Sequence, residues 1–335
     1  MKLSLSREVA LKVSLDRSGP RRRTTPGTKQ ACIKLYMFRS FRFLLLFLAI
    51  LAILPGIAHA QGRIDCDAVR SRILGQAVHY CVMLPSGYDA SSTVSPKAYP
   101  VLYYLHGLGD NEQSLFKSGG WGLIEDLRQQ HKIGDFLIVA PEGMRSFYIN
   151  SADGKLRYSD FFLREFIPLI ESKYPVRRER QARAITGLSM GGYGALRFAF
   201  AHPELFSAVS AQSAALITDS PQELDLATHS GAPVGRLLGT VFGSPIDPTH
   251  WKENDPFILA RRNKTAIAHL AIYFNCGEDD DYGFEKGAEA LDRELRREGI
   301  KHEFHLYPGS HSATYFLSHL GETMEFHSRV FAGQK

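Results

Sequence analysis

From residue 101 onward, short runs of apolar residues alternate with longer stretches whose apolar positions recur every three or four residues. Residues 101–105, 136–140, 184–188, 207–211, 270–275 and 303–307 have the length of strands, and 122–130, 161–173, 191–201, 285–297 and 313–329 have the spacing of helices. In 161–173 one face collects Phe162, Phe166, Leu169 and Ile170. Ser159 and Asp160 offer N-caps for that helix, and Tyr174-Pro175 stops it. Gly299 closes the helix over 285–297. Strands of about five residues alternating with helices predict a mostly parallel central sheet with helices on both faces, whose chemistry sits beyond the carboxyl ends of the strands. Two stretches depart from this rhythm. Residues 64–74 and 76–84 read as an N-terminal antiparallel hairpin turning at Gly75. Residues 214–261 are rich in Gly and Pro with weak periodicity, the character of a lid or binding insertion.

Charge changes the picture only at the N-terminus. The chain carries a formal +5, but residues 1–60 hold 11 Lys/Arg against Glu8 and Asp16, leaving 29 basic and 33 acidic residues in 61–335. The remainder is therefore acidic, which argues against a nucleic-acid partner. Arg39 and Arg42, the uncharged run 43–57 and Ala58-His59-Ala60 have the layout of a signal peptide. An apolar run of that length, broken by Pro55, is short of the ~20 residues that span a bilayer, so no stable membrane anchor is expected after cleavage. The expected organisation is an over-extended N-terminus over 1–36, a signal peptide over 37–60 and a single catalytic domain over 61–335, in a secreted or periplasmic protein. Cleavage leaves Cys66, Cys81 and Cys276 where disulfides persist. Folding the hairpin back at Gly75 brings Cys66 opposite Cys81 within one to three residues, the offset requiring a bulge or a longer turn, so this pair is expected to bond and Cys276 to stay a buried thiol. No C-x-x-C or Cys/His cluster suggests a metal, and no cofactor motif occurs.

The chemistry concentrates at strand ends. Gly187-Leu188-Ser189-Met190-Gly191 lies between a predicted strand and a predicted helix, the setting in which G-x-S-x-G presents a nucleophilic serine in an α/β-hydrolase fold. A serine hydroxyl needs a base within hydrogen-bond reach, and in this fold the chain order is serine, acid, histidine. His311 leaves the last strand directly, whereas His302 and His305 lie in or beside that strand and His319 and His327 fall in the terminal helix. The acid belongs to Glu278-Asp279-Asp280-Asp281, where spacing alone leaves Asp279 and Asp280 equal. The Met190 N–H is one expected oxyanion donor, and the Leu108 N–H, in the glycine loop His106-Gly107-Leu108-Gly109, is the other. His106 reads as a histidine holding that loop.

The strings 104–109, 187–195, Cys276-Gly277 with its acids, and Tyr307-Pro308-Gly309-Ser310-His311 resemble the esterase D family. That group embraces S-formylglutathione hydrolases, the feruloyl and acetyl-xylan esterases of carbohydrate esterase family one, and mycolyltransferases. Glu165-Phe166-Ile167-Pro168 and Ser146-Phe147-Tyr148 are similar to its helix and pocket segments. In relatives the acid stands three residues after the glycine, which selects Asp280. His311-Ser312-Ala313 departs from the His-Asp-Trp frequent in relatives and alters the pocket wall near the base. The resemblance implies a serine esterase acting through an acyl-enzyme on small or polysaccharide-linked carboxylic esters. An acyltransferase and a thiol esterase are the alternatives. Specificity is expected in 214–261 and near Tyr148. The charged residues of the insertion, Asp219, Glu223, Asp225, His229, Arg236, Asp247 and His250, predict a wet, polar-lined pocket for short or aromatic acyl groups.

Overall fold

The computed structural model describes residues 62–88, 97–229 and 233–334. The expected N-terminal extension and signal peptide lie outside them. The chain divides into two units, Met1–His59 and Ala60–Lys335, and all described residues belong to the second.

Eight strands form one sheet: β1 (Arg63–Arg70), β2 (Ala77–Leu84), β3 (Val101–Leu105), β4 (Leu137–Pro141), β5 (Arg183–Leu188), β6 (Ala208–Gln212), β7 (Ala271–Gly277) and β8 (Glu303–Tyr307). Their order is β1-β2-β4-β3-β5-β6-β7-β8. β1 and β2 pair antiparallel with each other, β2 pairs antiparallel with β4, and every later pair is parallel. This is the α/β-hydrolase architecture. Strand β3 shows why both faces carry helices: Val101, Tyr103 and Leu105 enter one apolar cluster, Leu102 and Tyr104 the other, and all five are buried.

The covering helices are α1 (Trp121–Gln129), α2 (Tyr158–Phe161), α3 (Ile167–Lys173), α4 (Met190–Ala201), α5 (Pro221–His229), α6 (Pro233–Phe242), α7 (Pro248–Asn254), α8 (Pro256–Arg262), α9 (Lys264–Ile267), α10 (Phe284–Arg297) and α11 (Ala313–Phe331). A wide turn over Phe162–Phe166 joins α2 to α3 and seats Phe162 on Phe198, ring centres 4.6 Å apart. Ser159 and Asp160 do not cap this helix. It begins at Tyr158, so both fall in its first turn, where Ser159 Oγ accepts from Arg197 and Asp160 pairs with Arg157.

The strands stop short of Gly75, and of the two ways to bridge the cysteine offset the longer turn is the one present. Arg70 pairs with Ala77, so the connection spans residues 71–76 and its Ser71 N–H donates to the Gln76 carbonyl at 2.9 Å. That register sets Cys66 directly opposite Cys81 without a bulge, and the two sulfurs are bonded; Cys276 is a buried free thiol.

The insertion is not a loop. Four helices, α5 to α8, each open on a proline, where the missing N–H costs nothing and φ is already helical. Asp247 caps α7 through the amides of Thr249 and His250, and Asp255 caps α8 through Phe257. Prolines that read as breakers in the sequence are helix starts.

Candidate active site

The turn from β5 into α4 forces Ser189 to φ 54°, ψ −119°, a left-handed conformation that costs a serine roughly 1–3 kcal/mol. Three backbone hydrogen bonds hold it there. The Ser189 N–H donates to the Gln212 carbonyl, and the Ser189 carbonyl accepts from Tyr193 and Ala215. The flanking glycines are steric necessities, since a Cβ on Gly187 would stand 2.3 Å from the Gly191 oxygen and one on Gly191 would stand 2.0 Å from the Leu105 oxygen.

His311 hangs from the loop after β8. Its Nε2 lies 3.0 Å from Ser189 Oγ and its Nδ1 lies 2.8 Å from Asp280 Oδ2. A carboxylate accepts only, so Nδ1 carries the proton and Nε2 offers its lone pair to the serine hydroxyl. Asp280 is buried while Glu278, Asp279 and Asp281 are exposed. Burial alone would raise the Asp280 carboxyl, but the His311 hydrogen bond and the Tyr282 N–H at 3.0 Å outweigh it and hold the group below the usual aspartate range. Asp281 has a separate task, accepting the backbone N–H of His311 at 3.1 Å. The Asp279 N–H donates to the Gly309 carbonyl, so the acid loop and the histidine loop are laced together. Cys276 Sγ sits 3.7 Å from Asp280 Oδ2, and burial pushes its thiol up to about 12, which removes it as a nucleophile.

His106 is fully enclosed. Its Nε2 accepts the Gly143 N–H at 2.7 Å, so its proton is on Nδ1, which donates to the Gly107 carbonyl at 2.8 Å. Asp110 N–H donates to the same carbonyl at 3.2 Å. Across a trans peptide the N–H points opposite to the C=O, so pinning the Gly107 carbonyl turns the Leu108 N–H the other way. Leu108, Met190, Ser189 and His311 line one cavity of about 360 Å³. Met190 is the first residue of α4, so its N–H has no partner within the helix.

The cavity walls correct one expectation. Residues 214–261 contribute Ala215 and Leu237, not their charged residues, and the rest of the lining is mostly apolar and aromatic, including Phe147, Phe284 and Phe316. Several acids of the insertion serve its own helix ends instead: Glu223 accepts from Ser220, and Asp247 and Asp255 cap α7 and α8. Tyr148 is fully buried beneath the His106 loop, its hydroxyl donating to the His106 carbonyl at 2.9 Å, while its neighbours Arg145 and Phe147 reach the cavity. Sequence reasoning also missed the rings around His311: Tyr282, Phe284 and Phe316 meet the imidazole edge-on, with centres 4.8, 5.5 and 5.1 Å away. Tyr282 and Phe284 follow the acid run directly, which was the available signal.

Among the described residues no group of His, Cys, Asp and Glu is arranged to hold a metal, and no helix is long and apolar enough to cross a membrane.

Residues 71–327 match the family described as "Putative esterase". The chain is 30% identical over 243 residues to an esterase of Mycobacterium tuberculosis, covering 69% of this chain and 51% of the relative, so it spans about half that protein's length. It is 27% identical over 230 residues to an acetyl esterase of Caldicellulosiruptor saccharolyticus, covering 68% of this chain and 83% of the relative. A solved ferulic acid esterase superposes with a TM-score of 0.68 at 28% identity, covering 81% of this chain and 99% of the other. With the match extending over most of the described residues, the chain belongs to this esterase family.

Proposed function

We propose that the protein is an exported serine esterase that hydrolyses carboxylic esters of short or aromatic acyl groups, attached to small alcohols or to carbohydrate. The observation that carries this reading is the continuous relay from Ser189 Oγ through His311 to Asp280, at 3.0 and 2.8 Å. In the proposed reaction His311 Nε2 takes the hydroxyl proton as Ser189 Oγ attacks the ester carbonyl carbon. The carbonyl electrons move onto oxygen, where the Leu108 and Met190 N–H groups stabilise the charge. Collapse expels the alcohol, which leaves with the proton from His311. Water, deprotonated by the same nitrogen, then releases the acid from Ser189. Asp280 stays ionised throughout and balances the imidazolium.

Acetyl and ferulic acid esterases among the similar proteins support the acyl range, and the arginine-led apolar segment ending at Ala60 supports export. Acyl transfer to a second alcohol is the competing reading, favoured by the apolar contribution of Ala215 and Leu237 to the cavity. A transferase for long chains needs a larger sheltered wall than about 360 Å³ provides, so hydrolysis is the stronger reading. The protein lacking residues 1–60 is to be assayed against p-nitrophenyl, feruloyl, acetyl-xylan and thiol esters, with excess glycerol or trehalose added. Free acid as the main product on oxygen esters supports the proposal. Transfer of most of the acyl group to the added alcohol, or a preference for thiol esters, would replace it.

A further inference from the structure

A second cavity of about 240 Å³ adjoins the first, and Asp110, Leu188 and Phe316 line both. Leu188 belongs to β5 and Asp110 stands exposed at the rim, so the largest side chain of the shared wall is the Phe316 ring. Phe316 is in the first turn of α11. Its N–H donates to the Ser312 carbonyl at 3.1 Å, and its carbonyl accepts from the buried Gln212 side-chain amide at 3.2 Å. The Gln212 carbonyl in turn accepts the Ser189 N–H, so one residue anchors both the nucleophile and the ring. This second space is lined by Leu115, Ala313, Leu317 and Leu320, together with Tyr104, Ser114 and Ser118. It is a mostly apolar cavity, open to solvent on its own side and divided from the Ser189 cavity where Phe316 stands beside Leu188 and Asp110.

We propose that Phe316 is a partition that sets the upper length of the acyl chain, and that the adjoining cavity is a latent subsite for the distal carbons of a straight-chain acyl group. This inference rests on the esterase reading of Ser189. A chain growing from the ester carbonyl meets the ring and stops, and further methylenes gain nothing because they stay in water. Without the ring the two spaces join. Each methylene then received by the Leu115, Leu317 and Leu320 wall contributes about fourfold in kcat/KM.

The test is the octanoate-to-butyrate ratio of kcat/KM for p-nitrophenyl esters, with active sites titrated by a fluorophosphonate. Because Phe316 also packs on His311, absolute rates will fall in any variant and only the ratio is read. Phe316→Ala is expected to raise the ratio at least tenfold. Adding Leu317→Trp, which refills the cavity from its own lining, should return it towards the parent value. If Phe316→Ala does not fold, Phe316→Val must move the ratio in the same direction. A folded variant at Phe316 that keeps the parent ratio overturns the partition, as does a raised ratio that Leu317→Trp leaves in place. A parent protein that hydrolyses no oxygen ester overturns the esterase reading itself, and with it this inference.

Discussion

On one side of the Ser189 cavity stand the loops after β3, β5, β7 and β8; on the other lies the helical insertion of α5 to α8. The loops are bound by backbone. Ser189 is fixed through Gln212, Tyr193 and Ala215, the Gly107 carbonyl is doubly occupied, and the acid and histidine loops share hydrogen bonds at Asp279 and Asp281. The insertion presents Ala215 and Leu237 to the cavity, while its Asp247 and Asp255 serve its own helix ends. Proton transfer over the 3.0 Å from Ser189 Oγ to His311 Nε2, with the 2.8 Å Nδ1–Asp280 bond kept intact, would tolerate little error, whereas an apolar wall needs only shape and volume. The difference predicts that substitutions on the loop side act on turnover, and substitutions in the insertion act on local stability.

The largest effect belongs to the relay. Ser189→Ala is expected to lower kcat by about 10⁴ or more, and Asp280→Asn by at least about 10², because the amide can present its NH₂ to Nδ1 and reverse the imidazole tautomer. Asp279→Asn, with an exposed side chain and the same backbone bond to Gly309, should stay within about threefold. Steady-state kinetics on p-nitrophenyl acetate separates the two. Equal losses at Asp279 and Asp280 would remove Asp280 from the relay.

The same contrast explains what could be read from the sequence. The loop side is legible because its geometry excludes most residues: Gly187 and Gly191 sit where any Cβ would strike backbone, and Gly277 sits where one would stand 2.4 Å from the Gly309 oxygen. Such positions leave a signature in the letters. The choice between Asp279 and Asp280 did not, because one residue of loop curvature decides which carboxylate is buried, and only the family spacing pointed to Asp280. The insertion hid its helices because proline is ambiguous, marking either a break or a first turn. Asp247 and Asp255, each directly before a proline, were the caps that could have resolved it. Phe316 was invisible as a wall, since its role depends on where α11 places its first turn beside His311.

Next in size is the disulfide, which belongs to neither side. Cys66 and Cys81 are separated by 15 residues on the antiparallel edge, and a closed loop of that length contributes about 3 kcal/mol by restricting the unfolded chain. Reduction should lower the unfolding free energy by about that amount in urea titrations while kcat/KM holds. Cys276 should alkylate only in denaturant. A reduced protein that loses activity before it loses structure would tie this edge to the site.

Acid sensitivity centres on neither side but on α11, where His327 meets β6. His327 is fully buried, with Nε2 2.7 Å from Ser210 Oγ, and burial pulls its pKa down to about 3. The unfolded chain binds this proton near pH 6.5, so the folded state is penalised progressively as pH falls from about 6.5 towards 3. Between pH 7 and pH 5 the loss is about 2 kcal/mol. Asp280, held low by His311, adds its own loss only below about pH 4. His327→Gln keeps a hydrogen-bonding group beside Ser210 and cannot titrate, so its stability should be flatter across that window. Parallel pH curves for the two proteins would show that His327 does not titrate on unfolding.

The smallest effect tests the insertion itself. The Asp247 side chain accepts from the Thr249 amide at 2.8 Å and the His250 amide at 3.2 Å, satisfying two of the orphan donors at the start of α7. Pro248 already fixes the first helical φ, so the helix direction survives without the cap and only these bonds are lost. Asp247→Ala should therefore cost about 1 kcal/mol, a fall in melting temperature of roughly 2 °C for a domain of this size. If the insertion opens as a unit separate from the sheet, that same energy appears as a roughly fivefold faster nicking by thermolysin near α7, with kcat on p-nitrophenyl acetate within about twofold of the parent. Asp247 touches neither the relay nor the cavity wall, so a tenfold fall in kcat without faster nicking would mean that the insertion and the catalytic loops move together. The division between a backbone-bound side that sets turnover and a helical side that sets shape would then fail at the one place where it predicts almost no catalytic effect.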